Sequence, residues 1–598
     1  MSENVARRTG AEEIAWDLTT VYAGTDDPAI DRDLDTADER AQALSKEYKR
    51  RVASLDAEEM LDLIKRYEDT TELAGRIGMW TYLNWSTNTE DPARGALRMK
   101  ATERSSRLAQ ELVWVELEIA NAPDEALGTL IEHPVLADYR HWLERIRRGK
   151  PFLLSEPEEK ILTEKAVTGR NAWDRFFDEL HSRNRYEWDG AQVPAEVVLN
   201  KLFDEDRSVR VRAHGSVTEG LKKMLPQSAY VFNTILADKA SDDRLRGYPT
   251  WLSARNRDNE VDDESVQSLI DAVTGRYDIV NRYYRLKRRL LGLDELFDYD
   301  RYAPLPASDA FFTWDEAQET VLNAYEKFHP RMAEIAGQFF EKRWIDAPVR
   351  DGKLGGAYAM PMTPKTHPFI MMNFEGRRND VETLAHELGH GIHQFLARER
   401  GMLLADTPLT TAETASTFGE MLVFQDLLAK EHDKRARLAM ITGKLEGTFA
   451  TVFRQIAMNR FEHAIHTHRR EKGELNPDQF GEYWLGTQRA MFGDSVTMTP
   501  EYSFWWSYIP HFVGVPGYVY AYAFGELLVM ALYARYQAAS DGFADAYLMM
   551  LSRGGSDWPH AIVKPLGVDL TDPSFWNEGL GILDRMVSEA ELLADEIG

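Results

Sequence analysis

The fold class predicted by the sequence is mainly α, with one small β-sheet, and three observations predict it. Apolar residues recur at three- and four-residue spacing along almost the whole chain. Strand-like runs are confined to one stretch around residues 356–374. Neither a repeat of fixed period nor a low-complexity tract interrupts the pattern.

Taken in order, the acidic run Asp26 to Glu39 reads as a solvated face. Ala57 to Tyr67, with Met60, Leu61, Leu63 and Ile64, reads as an amphipathic helix. A second is expected over Ala101 to Ala120, with Leu108, Leu112, Val115 and Ile119 on one side. The runs Gly356 to Met360 and Phe369 to Phe374 read as two strands joined by the Pro- and Thr-rich turn Pro361 to Pro368. Asn379 followed three residues later by Glu382 reads as a capping box, so a helix should start there.

The run Glu462 to Arg470 resembles a metal motif on paper. It precedes Gly473, so its cations are expected to complement the negative end of a helix. Tyr518 to Tyr536 is the most apolar long run, but Glu526 and Arg535 interrupt it, which predicts a buried helix rather than a membrane span. The expected division is an N-terminal helical domain over 1–200 and a second domain over 201–598.

Composition bounds the chemistry. The 598 residues are 43% hydrophobic and 11% aromatic, enough to bury a large core. With 71 basic against 98 acidic residues the formal charge is -27, which argues against nucleic acid as the main partner, since phosphate binding needs a basic face. No cysteine is present, so disulfides, thiolate catalysis and Cys-ligated metal are excluded, and any metal must be held by His, Asp or Glu. Met1 to Arg8 leads into Ala11-Glu12-Glu13 without an apolar core, so a soluble, cytoplasmic protein without a secretory signal is expected.

The stretch Asn379 to His393 carries the chemistry. His386 and His390 are four residues apart, one turn on one helical face, where two imidazoles can share an ion. Glu387 is rotated about 100° from His386, beside such an ion, where a carboxylate can take a proton from an attacking water. Residue frequencies predict about 0.03 matches to His-Glu-x-x-His in a chain of this length, so chance is a poor explanation.

A hydrolytic zinc needs a third protein ligand and one open position. The pattern with glycine at 393 and histidine at 396 is absent, since those positions are His393 and Leu396. Glu399, Glu413 and Glu420 remain. Glu399 is too far along the first helix to fold back onto the same ion. Glu413 lies among Thr410, Thr411, Ala412, Thr414, Ala415 and Ser416, small neighbours that would let a second helix pack closely, and it is the expected third ligand. Glu420, two turns farther on the same face, is expected to hydrogen-bond a ligand imidazole. His393 is expected as a core or cleft-wall histidine.

These residues resemble the thimet-oligopeptidase-like zinc metallopeptidase family, and most of all its oligoendopeptidase F branch. The matching text is Thr383 to His390 and Ala412 to Ser416, with Gly356-Ala357-Tyr358 and Pro368-Phe369-Ile370 upstream, and Ile509 to Phe512 and Pro516 to Ala523 downstream. Phe152 to Glu159 extends the likeness toward the N-terminus.

The resemblance implies two helical lobes enclosing a deep channel, with the small sheet beside the zinc-site helix. It implies one Zn2+ per chain on His386, His390 and Glu413, with Glu387 as general base. It implies short unstructured oligopeptides as substrates and a strand around Gly356, Ala357 and Tyr358 that pairs with the peptide backbone; charge and hydropathy add the expectation of no nucleic acid and no membrane partner. His511 and Tyr522, with Tyr518 close behind, are the implied oxyanion donors; Tyr520 is expected to point into a core. Gly517 departs from the branch, which usually carries an aromatic residue there, so a looser loop between Gly514 and Gly517 is expected.

The expected function is therefore a zinc-dependent endopeptidase. A metallocarboxypeptidase of helical channel type would release single C-terminal residues instead. A catalytically silent peptide-binding protein is disfavoured by the intact Glu387.

Overall fold

The computed structural model describes residues 8–305, 310–538 and 541–597, apart from the side chain of Glu156. Residues 1–7 of the stretch read as signal-free lie outside the described residues. The chain is mainly helical, with two small sheets.

In chain order, the elements that matter below begin with α1 (Pro28–Tyr48), α2 (Ala57–Ser86) and α3 (Pro92–Leu112). The hairpin β1 (Tyr186–Trp188) and β2 (Ala191–Val193) precedes α4 (Arg207–Arg246) and α5 (Ser253–Asp258). Then come α6 (Trp314–Phe328), α7 (Pro330–Glu341), and strands β3 (Ile345–Asp346), β4 (Tyr358–Met360) and β5 (Phe369–Met371). Helices α8 (Arg378–Ala397), α9 (Thr414–Lys430), α10 (Phe453–Glu471), α11 (His511–Gly514), α12 (Tyr520–Ala538) and α13 (Pro573–Ile597) complete the set.

Two compact units form, each from three stretches of sequence. One takes residues 1–150, 309–430 and 535–568; the other takes 151–308, 431–534 and 569–598.

In the first unit, α2 starts where its sequence says it should. The Asp56 carboxylate accepts from the N–H groups of Glu58 and Glu59, and Glu59 reaches back to the Asp56 N–H. Its apolar face joins α1 and α3 around Leu44, Met60, Leu63, Ile64, Leu112 and Trp142. The expected helix over 101–120 is two helices that meet at Val113, with Trp114–Asn121 following α3; Leu108, Leu112, Val115 and Ile119 are nevertheless all buried.

The three-stranded sheet has order β3-β5-β4. β4 runs antiparallel to β5, pairing Tyr358 with Met371 and Met360 with Phe369, and β3 runs parallel to β5 on the other side. Among the described residues β4 is therefore an edge strand. Helix α8 begins two residues earlier than the Asn379 capping box predicts, with Arg377 at the N-cap. Its entry is tied instead by Asp380, whose carboxylate accepts from the N–H groups of Glu375 and Arg377, both 2.9 Å away.

The second unit is built on α4, a 40-residue helix opened by the Asp206 carboxylate on Ser208 N–H and closed by Gly247 at φ 80°. At its side, Arg207 and Arg210 close on the buried Asp300 at 2.8 and 2.9 Å. The apolar run expected as a buried helix is α12, and its Glu526 is met by Thr448. Among the described residues no helix is long and apolar enough to cross a membrane.

Candidate metal centre

Helices α8 and α9 approach until their backbones touch. A Cβ on Gly389 would lie 2.3 Å from the Ala415 carbonyl oxygen and 2.6 Å from Ser416 Cα. A Cβ on Gly419 would meet the Tyr325 hydroxyl, which itself donates to the Ala385 carbonyl at 2.5 Å. Only glycine fits at either crossing point, and the small residues around Glu413 allow the approach that their sequence predicts.

This crossing brings His386, His390 and Glu413 together. Nε2 of His386 and Nε2 of His390 each lie 3.3 Å from the same carboxylate oxygen of Glu413. One donor atom from each of the three residues lies within 4.8 Å of the others; among the described residues no other cluster of three His, Asp or Glu has this property. The two rings stand at 81° to each other with centroids 5.0 Å apart. Glu413 sits between a four-residue helix, Leu409–Ala412, and the start of α9, and Ser416 donates its hydroxyl to the carboxylate at 2.7 Å.

Glu420, two turns along α9, accepts from Nδ1–H of His386 at 3.2 Å, which turns Nε2 toward Glu413. Burial alone would push the His386 imidazole down, but Glu413 and Glu420 on either side hold it up to about 10. Burial likewise pushes the Glu413 carboxyl up, and the two imidazoles overcome it and hold the group far below the usual carboxylate range. The cluster thus already attracts positive charge. Two imidazole nitrogens and one carboxylate, open on the cavity side, are a donor set that fits a divalent zinc site, the ion taking the place of the proton the carboxylates attract.

Glu387 is 6% exposed, and its Oε2 is buried without a hydrogen-bond partner. Burial pushes its carboxyl up, opposed by the charges of His386 and His390 and by a backbone hydrogen bond from Ala359 of β4. A buried carboxylate oxygen with no donor is costly to retain in a core that has no use for it.

These groups line a cavity of about 560 Å³ together with Ala357, Tyr358 and Ala359. Gly356 is turned elsewhere: it has φ 81°, and its carbonyl accepts from the Asn373 side-chain amide at 3.0 Å. The Tyr358 hydroxyl shares a 2.7 Å hydrogen bond with Ser86 of α2. His393 is a cavity-wall residue, with burial and then His390 pushing its imidazole down to about 4. Glu399 falls in the short turn after α8, outside the cluster.

Gln394 escapes the sequence reading. It lines the same cavity, its amide reaches the Ala359 carbonyl at 3.4 Å, and its Oε1 is buried without a partner. Its signal was its position four residues after His390 on the same helical face.

In the second unit, α11 and the start of α12 bring His511, Tyr518 and Tyr522 together. Nε2 of His511 lies 3.3 Å from the Tyr522 hydroxyl, and the rings of Tyr518 and Tyr522 meet edge-on at 5.1 Å. Burial pushes the His511 imidazole down. Tyr520 points away as expected: it is fully buried, and its hydroxyl accepts from Asn259 at 2.9 Å.

The model for peptidase family M3 matches residues 201–582, and one described as oligopeptidase F matches residues 118–186. The chain is 28% identical to the oligopeptidase PepF of Bacillus subtilis, over 97% of this chain and 87% of that one. It is 27% identical to the group B oligopeptidase PepB of Streptococcus agalactiae over 99% of both. Among solved structures, a candidate peptidase from Chlamydophila abortus superposes with a TM-score of 0.88 at 24% identity, over 97% of this chain and 98% of that one. Oligoendopeptidase-F from Enterococcus faecium superposes with 0.71 at 23% identity, over 95% and 99%. At these identities the two structures speak for the fold alone.

Proposed function

This chain belongs to peptidase family M3 and is a metalloendopeptidase, and from that premise we propose that it cuts internal bonds of short unstructured oligopeptides with one zinc ion held by His386, His390 and Glu413. The observation that carries the reading is the convergence of both imidazoles on one Glu413 oxygen, with the unpartnered Oε2 of Glu387 next to His386 on the same helix. Zinc in that position supplies a Lewis acid that lowers the pKa of a water to about 7 and polarises the scissile carbonyl.

The rest falls to this chain's own residues. Glu387 is the general base: its free Oε2 takes the proton of the attacking water and passes it to the leaving amine. Glu420 keeps the His386 ring turned so that Nε2 faces the ion.

Ala357 and Tyr358, at the start of β4, are proposed to take the peptide backbone by strand addition, supported by their place in the cavity lining; Gly356, whose carbonyl is held by Asn373, is proposed to shape the entry to that strand. His511, Tyr522 and Tyr518 are proposed as donors to the oxyanion, supported by their resemblance to the family pattern and their mutual contact. The boundary near residue 200 is proposed as a division between sequence modules, supported by the family matches ending at 186 and starting at 201.

The test is mass spectrometry of a mixed synthetic peptide pool incubated with the zinc-loaded protein, its Glu387→Gln variant, and the protein with chelator. Internal cuts by the loaded protein alone, with zinc still bound to Glu387→Gln, are the expected result. Robust cutting by Glu387→Gln removes the base assignment. Release of single C-terminal residues replaces the endopeptidase with a carboxypeptidase.

A further inference from the structure

The run Glu462 to Arg470, set aside in the sequence as the basic end of a helix, is only partly that. It lies on α10, where Arg469 and Arg470 are indeed in the last turn. Glu462 and His466, however, are both 1% exposed. A buried glutamate in the middle of a helix needs a reason, and the structure supplies one: Glu462 Oε1 accepts the backbone N–H of Gly517 at 2.8 Å. Its other oxygen is buried and has no hydrogen-bond partner. The carboxyl is thus committed to the turn between α11 and α12, at the residue that immediately precedes Tyr518.

The same turn is walled on its other sides. Gly517 has φ 79°, and a Cβ there would stand 2.9 Å from Leu252 Cδ1 and 3.5 Å from both Arg255 and Trp251. Trp251 is itself held flat against His466 at 4.6 Å, with its indole N–H donated to Nδ1 of His463 at 3.2 Å. The Arg255 guanidinium lies over the Tyr518 ring at 6.0 Å. Asn259, just beyond α5, holds the Tyr520 hydroxyl. A glycine at 517 suggests a loose loop when read alone, but this one is clamped from below by Glu462 and from the sides by residues 251–255.

We propose that Glu462 is a positioning residue for the peptidase reaction: its carboxyl holds the Gly517 amide and thereby fixes the turn that presents His511, Tyr518 and Tyr522 to the developing oxyanion. The inference rests on the oxyanion reading given above. It adds a residue 55 positions away in the sequence that touches no substrate and acts through the turn alone. Burial also pushes the Glu462 carboxyl up to about 8, so the neutral acid is the form that holds the amide at neutral pH, and a glutamine copies it closely. Displacing a donor by about 1 Å is enough to cost up to ~10²-fold in rate, which sets the scale of the effect.

The experiment measures kcat and KM on a quenched fluorescent oligopeptide, with zinc content per chain, for full-length Glu462→Leu and Glu462→Gln and for each combined with Tyr522→Phe. Glu462→Leu is expected to lower kcat about 10-fold or more, with KM within about twofold and zinc retained, and Glu462→Gln is expected to restore kcat. In the Tyr522→Phe background the added loss from Glu462→Leu should shrink to about twofold or less, which a general weakening of the fold would not produce. An unchanged kcat in Glu462→Leu, or the same loss in both backgrounds, overturns the proposal. Should Glu462→Leu fail to fold, Glu462→Asp, which withdraws the acceptor by one methylene, is judged by the same criteria. If Tyr522→Phe, Tyr518→Phe and His511→Ala each leave kcat unchanged, the oxyanion reading itself falls. Losses in those variants with Glu462→Leu unaffected overturn the positioning role alone.

Discussion

Glu413 is a single carboxylate doing the work of a hinge pin between two imidazoles, and its removal has a defined consequence. Glu413→Ala leaves His386 and His390 with no third donor and is expected to release zinc, lowering metal content from one per chain to near zero after dialysis, as elemental analysis would read. A variant that keeps its full metal would transfer the ligand role to Glu420, which already reaches the other side of His386. At this scale much of the site was legible. Helical period alone places His386 and His390 on one face, and the small residues around 413 announce a close crossing. Gln394 and Glu462 were not legible as functional candidates. A glutamine on an apolar helix and a glutamate in a basic run each have an ordinary explanation, and only the position of Ala359 and Gly517 in space gives them another.

The crossing of α8 and α9 is the element-scale device on which the centre depends. Gly389→Ala gains helix propensity of about 1 kcal/mol, yet its methyl would have to displace the Ala415 carbonyl and the Ser416 backbone. Overpacking of this kind typically costs 1–3 kcal/mol, so after that gain the substitution is expected to destabilise the fold by about 1 kcal/mol in urea denaturation and to weaken zinc retention. A variant as stable as the parent, with equal zinc affinity, would mean that the helices separate freely. The strand pair β4–β5 was readable from two apolar runs around a Pro-rich turn. β3, two residues long, and the β1–β2 hairpin are too short to leave a period. The break at Val113 is invisible in the pattern because the buried face continues across it in register.

The whole molecule carries a formal charge of -27, and charge of that size acts on ligands before they touch anything. Matched peptides differing only in lysine or glutamate residues away from the cleaved bond should respond to salt in opposite directions. Raising sodium chloride from about 0.02 to 0.5 M is expected to lower kcat/KM severalfold for the lysine peptide and to raise it for the glutamate one. Identical salt profiles would show that the net charge plays no part in capture. Composition announces this property directly, and helical period announces the fold class. The partition into units could not be read at all, because period and capping are local signals whereas membership of a unit is decided by which distant stretches pack together.

That partition bears on how the chain comes into being. Each unit is assembled from three separated stretches, one ending at residue 568 and the other needing α13 near the end of the chain. A ribosome adding about 5–20 residues per second will therefore have released most of the polypeptide before either unit has all its parts. The first helices have partners at hand, because the core around Leu44, Met60, Leu112 and Trp142 draws almost wholly on residues 37–143; what they must wait for is the later stretches that complete the unit. Closure of either unit, as distinct from that first helical cluster, is therefore expected only late in synthesis.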